Sequence, residues 1–518
     1  MTDESATDIV NSLPNRVCEV VKPWAERSPN QPALVEAAGT WSYEQLAAVI
    51  STTRSWLIES GVRPGDRVMI VCENCRAFVA VFLALAELDA WPVLVNARLS
   101  ARELEQIQEH CTPRRVLYTT SVSPHAREHV KRQGAVVLDV NGIGPIGVGT
   151  LNDAAEPEPI DPIARERVAA LIYTSGTTGL PKGVMLTHKS LLFVAAVSAK
   201  IRGLTPEDQL LGVLPMSHAV GLSVVLLGAL LSGSTVYLMP RFDPVAVSKA
   251  LEGGRLTVML GAPAMFGLFV DYAKMKGIRS PKYPGLRIIS SSGAPLHTPL
   301  KLEVENLFGL VLYNGYGVTE CSPNIAQSRV GFSYPPLSVG HVFPGVEVQL
   351  VGSDGQAVPV GEVGELWVRG PNVMKGYYRA PEESAAAINP EGWFNTRDLA
   401  RVEDERLYIV GRTKELIVRF GFNVYPAEVE GVLNACPGVV RSAVVGRTNA
   451  GDGNEEVVAF VQSEPGSSLT ATKLAEHAAE HLAPYKRPSQ IVLVRELPTT
   501  LTGKVAKAEL TKLVVDLS

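Results

Sequence analysis

What this sequence has little of narrows its roles before any motif is considered. It has no excess of positive charge: 48 Lys and Arg stand against 53 Asp and Glu, a net charge of -5 with a pI near 6.1, so it offers no basic field to a nucleic-acid backbone. It also lacks an apolar run of the roughly 18 to 20 residues that cross a bilayer. The longest such run, Val220 to Leu231, is broken by Gly221, Ser223 and Gly228 and reads as a buried core helix. The opening residues Met1-Thr2-Asp3-Glu4-Ser5 are acidic and lead into no apolar h-region, so no secretory signal is expected. Cysteine is scarce, six residues (Cys18, Cys72, Cys75, Cys111, Cys321, Cys436) scattered over 518, which suits a reducing compartment. Cys72-Glu73-Asn74-Cys75 has a metal-like spacing, but no second such pair or His pair completes four ligands. It reads instead as a strand end running into a helix over 77–87. The expectation is a cytoplasmic protein with no nucleic-acid partner and no transmembrane segment. Composition leaves peripheral attachment to a membrane and a homodimer open.

What is present is a large globular chain. Its apolar fraction of 46% against 19% charged residues suits packed cores, and its length sets a soft prior of about three units. Strand-like runs alternate with helical patterns: 67–71 before 77–87, 115–118 before 124–133, and 287–290 before 300–307. Such alternation predicts α/β layers with largely parallel sheets, whose ligands bind at the carboxyl ends of strands. From 339 to 368 the texture changes to short β segments with turns at Ser353-Asp354-Gly355 and Gly361-Glu362-Val363-Gly364, fitting a small antiparallel unit, expected to be a barrel. After Gly411 a compact α+β section follows, with strands near 441–445 and 457–462 and a helix around 471–481.

The most informative segment is Tyr173-Thr174-Ser175-Gly176-Thr177-Thr178-Gly179-Leu180-Pro181-Lys182-Gly183. A β-branched, apolar strand over 168–173 runs into a turn of hydroxyls, glycines and one lysine. Glycines allow close backbone approach, so main-chain N–H groups and hydroxyls can reach phosphate oxygens. A Walker A loop is the obvious rival. Counting from Gly176, its second glycine would fall at Pro181, and Lys182 is followed by Gly183 where that loop needs Ser or Thr for magnesium.

The segment resembles the signature of the adenylate-forming superfamily, which includes acyl-CoA synthetases, coumarate-CoA ligases, luciferases and adenylation domains of peptide synthetases. Further motifs of that family follow in order: Asn314-Gly315-Tyr316-Gly317-Val318-Thr319-Glu320, Gly392-Trp393-Phe394-Asn395-Thr396-Arg397-Asp398, Gly411-Arg412-Thr413-Lys414-Glu415-Leu416-Ile417, and Pro498 through Lys504. The resemblance spans nearly the whole chain, from Trp41-Ser42-Tyr43 onward. It implies a large N-terminal AMP-binding part, 1–411, made of two α/β subdomains and a small β-barrel, and a small mobile α+β C-terminal domain, 412–518. It implies ATP, Mg2+ and CoA as cofactor and co-substrates.

Joining a carboxylate to the α-phosphorus of ATP brings two anions together, so the catalyst should be fixed cations and N–H dipoles. By resemblance, Lys182 with Thr174, Ser175, Gly176, Thr177, Thr178 and Gly179 holds the β- and γ-phosphates. Glu320 and Thr178 face magnesium. Gly293, Ala294 and Pro295 sit in a turn at a strand's carboxyl end beside the nucleotide. Asn314, Gly315, Tyr316 and Gly317 form the adenine wall, with Tyr316 stacking on the base and Thr319 near the α-phosphate. Asp398 accepts from ribose hydroxyls, and Arg412 contacts ribose or phosphate. Lys504 bridges the substrate carboxylate and the α-phosphate. Lys414 matches a hinge about which the C-terminal domain rotates, exchanging the Lys504 face for the 419–422 loop. Gly421 would then line a pantetheine tunnel, and Arg419, Lys486 or Arg487 would meet CoA phosphates. Departures are Arg397, where the family has glycine, Phe420, Thr499 and Lys507.

The acyl pocket is the least legible part. His218, in Met216-Ser217-His218-Ala219-Val220-Gly221-Leu222, matches a residue that gates the pocket, and equally reads as a core histidine. Ala219, Val220, Ala262, Gly293 and Val318 give an apolar wall that favours a monocarboxylate over a dicarboxylate or amino acid. The expected substrate is a medium- or long-chain fatty acid, with an aryl or cinnamate-type acid as the alternative. Transfer to a carrier protein in place of CoA is a second alternative. A nucleotide-binding protein that has lost catalysis is disfavoured by Lys504, Glu320 and Asp398 together.

Overall fold

The structure, a computed structural model, describes residues 5–175, 181–278, 283–419, 422–448, 455–464, 466–500 and 504–515. Gly176, Thr177, Thr178, Gly179, Phe420 and Gly421 therefore lie outside the described residues.

Two large sheets build the N-terminal part. One has eight strands in the order Gly376–Tyr377, Pro181–Thr187, Val168–Ser175, Trp91–Asn96, Arg67–Cys72, Arg115–Tyr118, Gly144–Val148, Val136–Val140. Its four central strands, from Val168–Ser175 to Arg115–Tyr118, are parallel. Every residue of Arg67–Cys72 is buried, as a parallel strand covered on both faces requires. The other sheet has nine strands, in the order His341–Val342, Asn324–Gln327, Leu312–Gly317, Ile288–Ser291, Val258–Gly261, Gln209–Gly212, Thr235–Leu238, Pro32–Glu36, Gly39–Ser42. The six from Leu312–Gly317 to Pro32–Glu36 run parallel, and antiparallel strands close both edges.

Between the sheets lies the helix Arg76–Glu87, which touches strands of both. Its residues from Ala77 to Ala86 are all buried, so this helix has no polar face. Its N-cap is Cys75, whose Sγ accepts from Phe78 N. The metal-spaced pair Cys72 and Cys75 is, as expected, a buried strand end running into a helix, which Cys75 caps, and neither thiol is in a disulfide. Burial raises both thiols well above the ordinary range. The run from Val220 is helical and buried, as expected, but Val220–Leu227 has wide π-type turns before the α-helix Gly228–Ser232 resumes. A Cβ on Gly221 would stand 2.3 Å from Pro215 O, so the wide turn rests on a backbone contact that only glycine permits.

The small antiparallel unit is present as an open sheet, not the closed barrel expected. Glu347–Val351, Gly364–Arg369, Phe394–Glu403 and Arg406–Arg412 pair in chain order, and among the described residues its outer strands do not pair with each other. The C-terminal domain has a hairpin, Ile417–Arg419 with Phe422–Val424, and a three-stranded sheet, Val439–Thr448, Glu455–Ser463 and Gln490–Val494. Helices Pro426–Asn434 and Ala471–His481 contribute to one core on it, and Lys507–Val515 to a second. The expected division after residue 411 falls at the end of the strand Arg406–Arg412, just before the single 3-10 turn Thr413–Glu415. Among the described residues, no helix is long and apolar enough to cross a membrane.

Candidate active site

The strand Leu312–Gly317 delivers the first group of expected residues. Asn314 is buried and turns inward, its Nδ2 donating to Ser338 O (3.3 Å) while its Oδ1 accepts from Gly315 N (3.0 Å). Gly317 must be glycine, because a Cβ there would lie 2.0 Å from Pro323 O. That close approach folds the chain back onto Asn324–Gln327 and sets Thr319 and Glu320 on a 3-10 turn at the strand's carboxyl end.

Tyr316 is tied by its hydroxyl, which donates to Asp398 Oδ2. Burial, then the Asp398 carboxylate, hold the phenol well above its usual range, so it stays protonated. The other oxygen of Asp398 accepts from Arg412 Nε at 2.9 Å, and Asp398 is itself 3% exposed. Tyr316, Asp398 and Arg412, from three separate motifs, therefore form one chain of contacts. Arg397 precedes Asp398 with φ +59, the left-handed conformation that glycine adopts without strain. Asn395 Oδ1 accepts from its N–H at 2.8 Å. The departure from glycine has changed the side chain and kept the backbone.

A second group forms around Tyr377, which the sequence reading did not single out. Tyr377 Oη donates to Glu320 Oε1 at 2.9 Å, and Lys182 Nζ lies 5.1 Å from the centre of the same ring. Its strand, Gly376–Tyr377, pairs with Met185 and Val184, while Lys182 stands in register with Thr174. Met374 N donates to Glu320 O at 2.8 Å. One tyrosine thus links the lysine and the carboxylate expected at the phosphates and the metal. No basic side chain pairs with Glu320 among the described residues, which leaves its carboxylate oxygens as donors of the kind that suit a hard cation.

Lys504 reaches this face from the C-terminal domain. Solvent touches the residue, yet protein crowds its ammonium. Burial and then Arg412 depress its pKa, while Asp398 and Glu320 act in the opposite sense. Lys504 is also close enough to His218 to help push that imidazole down to about 4, after burial and ahead of Arg98. His218 is neutral at physiological pH. Lys504 is thus within electrostatic reach of Glu320, Asp398, Arg412 and His218.

The acyl-site segment owes its position to another residue that sequence reasoning missed. Buried Asn74, within the Cys72-to-Cys75 turn, donates to Gly212 O (3.0 Å) and Leu214 O (2.9 Å) and accepts from Met216 N (2.8 Å). It pins the chain entering His218 to the other sheet. Nearby, the hydroxyls of Ser217 and Ser291 are buried with no hydrogen-bond partner. Gly293 has φ +91, and a Cβ there would meet nothing within 4 Å. Ala294 and Pro295 follow it at the end of Ile288–Ser291.

The residues expected at CoA do not join this group. Arg419 donates to the carbonyls of Tyr485 (3.3 Å) and Arg487 (2.7 Å). Lys486 grips both oxygens of Glu428 at 2.6 and 2.8 Å, and Arg487 donates to Leu482 O and Ala479 O. Lys414 is exposed, with no hydrogen bond or ion pair to the described residues. Lys507 pairs with Glu415 at 3.1 Å and Glu430 at 2.8 Å.

The model of the AMP-binding enzyme family matches residues 21–378, and that of the AMP-binding enzyme C-terminal domain matches 428–504. The chain belongs to the AMP-binding enzyme family. A feruloyl-CoA synthase from Amycolatopsis sp is 35% identical over 490 residues, covering 94% of this chain and 96% of its own. A 4-coumarate–CoA ligase from Pinus taeda is 30% identical over 500 residues, 93% of this chain and 91% of its own. Among solved structures, the o-succinylbenzoate CoA synthetase from Bacillus subtilis in complex with ATP and a magnesium ion superposes with a TM-score of 0.80 at 29% identity, covering 95% of this chain and 98% of that one. As an adenylate-forming enzyme, the chain is an AMP-forming acid–thiol ligase that uses ATP, Mg2+ and CoA. Its acyl-CoA synthetase reaction passes through an acyl-AMP.

Proposed function

We propose that this AMP-binding enzyme activates an aryl or arylpropenoic monocarboxylic acid and passes the acyl group to CoA. The observation that carries the chemistry is the convergence of Lys504 from the C-terminal domain with Glu320, Asp398, Arg412 and His218. In the first half-reaction a carboxylate oxygen of the acid attacks the α-phosphorus and pyrophosphate leaves. Lys504 brings its ammonium to the charge that builds between carboxylate and phosphate, a contribution of the kind that costs about 3–4 kcal/mol of barrier when one donor is lost. Asp398, oriented by Tyr316 and Arg412, accepts from the ribose. Lys182 and Thr174 hold the outer phosphates, and Glu320 is the carboxylate that would hold Mg2+, which when bound neutralises phosphate charge. Neutral His218 borders the acyl group without adding a counter-charge. In the second half-reaction the CoA thiol attacks the acyl carbonyl and AMP leaves. The C-terminal domain, from residue 412, turns about Lys414 for that step, and Lys486 and Arg419 exchange internal partners for CoA phosphates.

For the acid, support comes from the two relatives, named for ferulate and 4-coumarate. The unpartnered buried hydroxyl of Ser217, next to His218, fits as well, since a methylene chain would leave it unsatisfied whereas an oxygenated ring can bond it. The fatty acid expected from sequence lacks such support. The test is pyrophosphate release and thioester formation across ferulate, 4-coumarate, benzoate, octanoate and decanoate. The expected order puts an aryl acid first in kcat/KM; a steady rise with aliphatic chain length would restore the fatty-acid reading.

A further inference from the structure

We propose that His477, Glu480 and His481, at the C-terminal end of the helix Ala471–His481, form a binding site for a late first-row divalent cation such as Zn2+, separate from the nucleotide's Mg2+. No second Cys pair or His pair accompanies Cys72, but a His pair four apart does occur here, and four residues on a helix place both rings on one face. Their centres are 4.5 Å apart. One ligand atom from each of His477, Glu480 and His481 lies within 4.8 Å of the others.

The tautomers follow from the surroundings. His477 Nε2 is 3.1 Å from Val432 O and His481 Nδ1 is 2.8 Å from His477 O. A carbonyl only accepts, so each of these nitrogens carries its proton and donates. The tautomers so held place the lone pairs on His477 Nδ1 and His481 Nε2. A ring whose N–H is spent on a backbone carbonyl, with its other nitrogen open, is the arrangement in which metal-ligating histidines are held. Glu480 has no hydrogen bond or ion pair to the described residues, and it adds a carboxylate oxygen. A tetrahedral ion with bonds of about 2.1 Å separates its ligand atoms by roughly 3.4 Å, so these side chains must adjust to take it. Glu480 and His481 are exposed and His477 half-buried, which leaves them room to move. Two imidazoles and one carboxylate select Zn2+, Ni2+ or Cu2+ over Mg2+ and Ca2+. Three protein ligands leave a position for water. Because His477 is bound to Val432 in the neighbouring helix Pro426–Asn434, an ion here braces the two helices of the C-terminal core.

The experiment is calorimetric titration of the full chain, without an affinity tag, with ZnCl2 in the presence of excess Mg2+. One equivalent is expected to bind, and His481→Ala and Glu480→Gln are each expected to weaken it, the first by at least about tenfold. Far-ultraviolet circular dichroism and metal-free melting of each variant show that the fold is retained, since both side chains are exposed. As a second readout, Zn2+ should raise the melting temperature of the wild-type chain and leave that of the doubly substituted His477→Gln, His481→Ala chain unmoved. No binding below millimolar Zn2+, or binding undiminished in the double variant, overturns the site.

Discussion

At Lys504 two influences compete, and the direction of the outcome can be measured. Burial and Arg412 lower its pKa while Asp398 and Glu320 oppose them, and the net effect is downward. On the proposed role the ammonium is the active form, so acyl-AMP formation should fall as pH rises through a pKa below that of free lysine. Lys504→Arg, whose guanidinium stays charged, should lose that alkaline limb even where its rate is lower. Lys504→Ala should slow acyl-AMP formation by about a hundredfold or more and leave thioester formation from supplied acyl-AMP largely intact. ATP–pyrophosphate exchange measured across pH decides both; an unchanged alkaline limb in the arginine variant would show that another group titrates. His218, pushed down to about 4, should add no limb between pH 6 and 8. Tyr377→Phe removes the hydroxyl from Glu320 and keeps the ring beside Lys182. A hydrogen bond to a charged group is worth about 1.5–3 kcal/mol, so affinity for Mg·ATP should drop by about tenfold while AMP affinity holds. Equal losses for both nucleotides in direct binding would refute that division.

At the scale of elements, much of the candidate site could be read from the chain because each motif is one contiguous stretch at the start, middle or end of a single strand or turn. Tyr316, Glu320, Asp398 and Arg412 lie in contiguous glycine-rich stretches, and the strand-then-helix alternation places Arg115–Tyr118 before Pro124–Gln133 at the expected residues. What stayed hidden depends on pairings between distant segments. Tyr377 acts through a two-residue strand whose partner is nearly two hundred residues earlier, and no local pattern marks it. The small β unit was expected to close, but closure depends on whether its first and last strands meet, which their own sequences do not encode. Asn74 sat in a turn read only for its cysteines, yet it satisfies three backbone groups across the sheets. Asn74→Ala leaves Leu214 O and Met216 N buried and unpaired, at a cost of about 1–3 kcal/mol each at most, while Gly212 O keeps its bond from Met239 N. The variant should show a lowered unfolding midpoint and a raised KM for the acid, with the KM for ATP little changed. Arg397 is the converse case, a residue flagged as unusual whose backbone follows the glycine pattern. Arg397→Gly relieves the positive φ but loosens the unfolded chain, two terms of about 1 kcal/mol that oppose, so stability should barely move in a denaturant titration.

The whole molecule joins a large N-terminal part to a small C-terminal domain. The N-terminal sheets share one continuous core around the helix Arg76–Glu87, whereas the C-terminal domain keeps its own cores. The linking turn Thr413–Glu415 carries Lys414 exposed and unanchored. Lys504 stands within electrostatic reach of Glu320 and Asp398, and the cations expected at CoA are occupied with Glu428 and backbone carbonyls. On the proposed function, this placement serves adenylation and the thioester step uses a different placement of the same domain. Proline at 414 fixes φ near the value that the second residue of a 3-10 turn adopts, so it suits the present turn and restricts rotation about residue 414. Lys414→Pro should spare pyrophosphate exchange within about threefold and slow thioester formation from supplied acyl-AMP by about tenfold or more. Lys414→Ala, which removes the charge and keeps the backbone free, should leave both half-reactions near wild type. If the alanine variant lost the thioester step as fully as the proline variant, the lysine side chain itself, and not rotation about the turn, would be what that step needs.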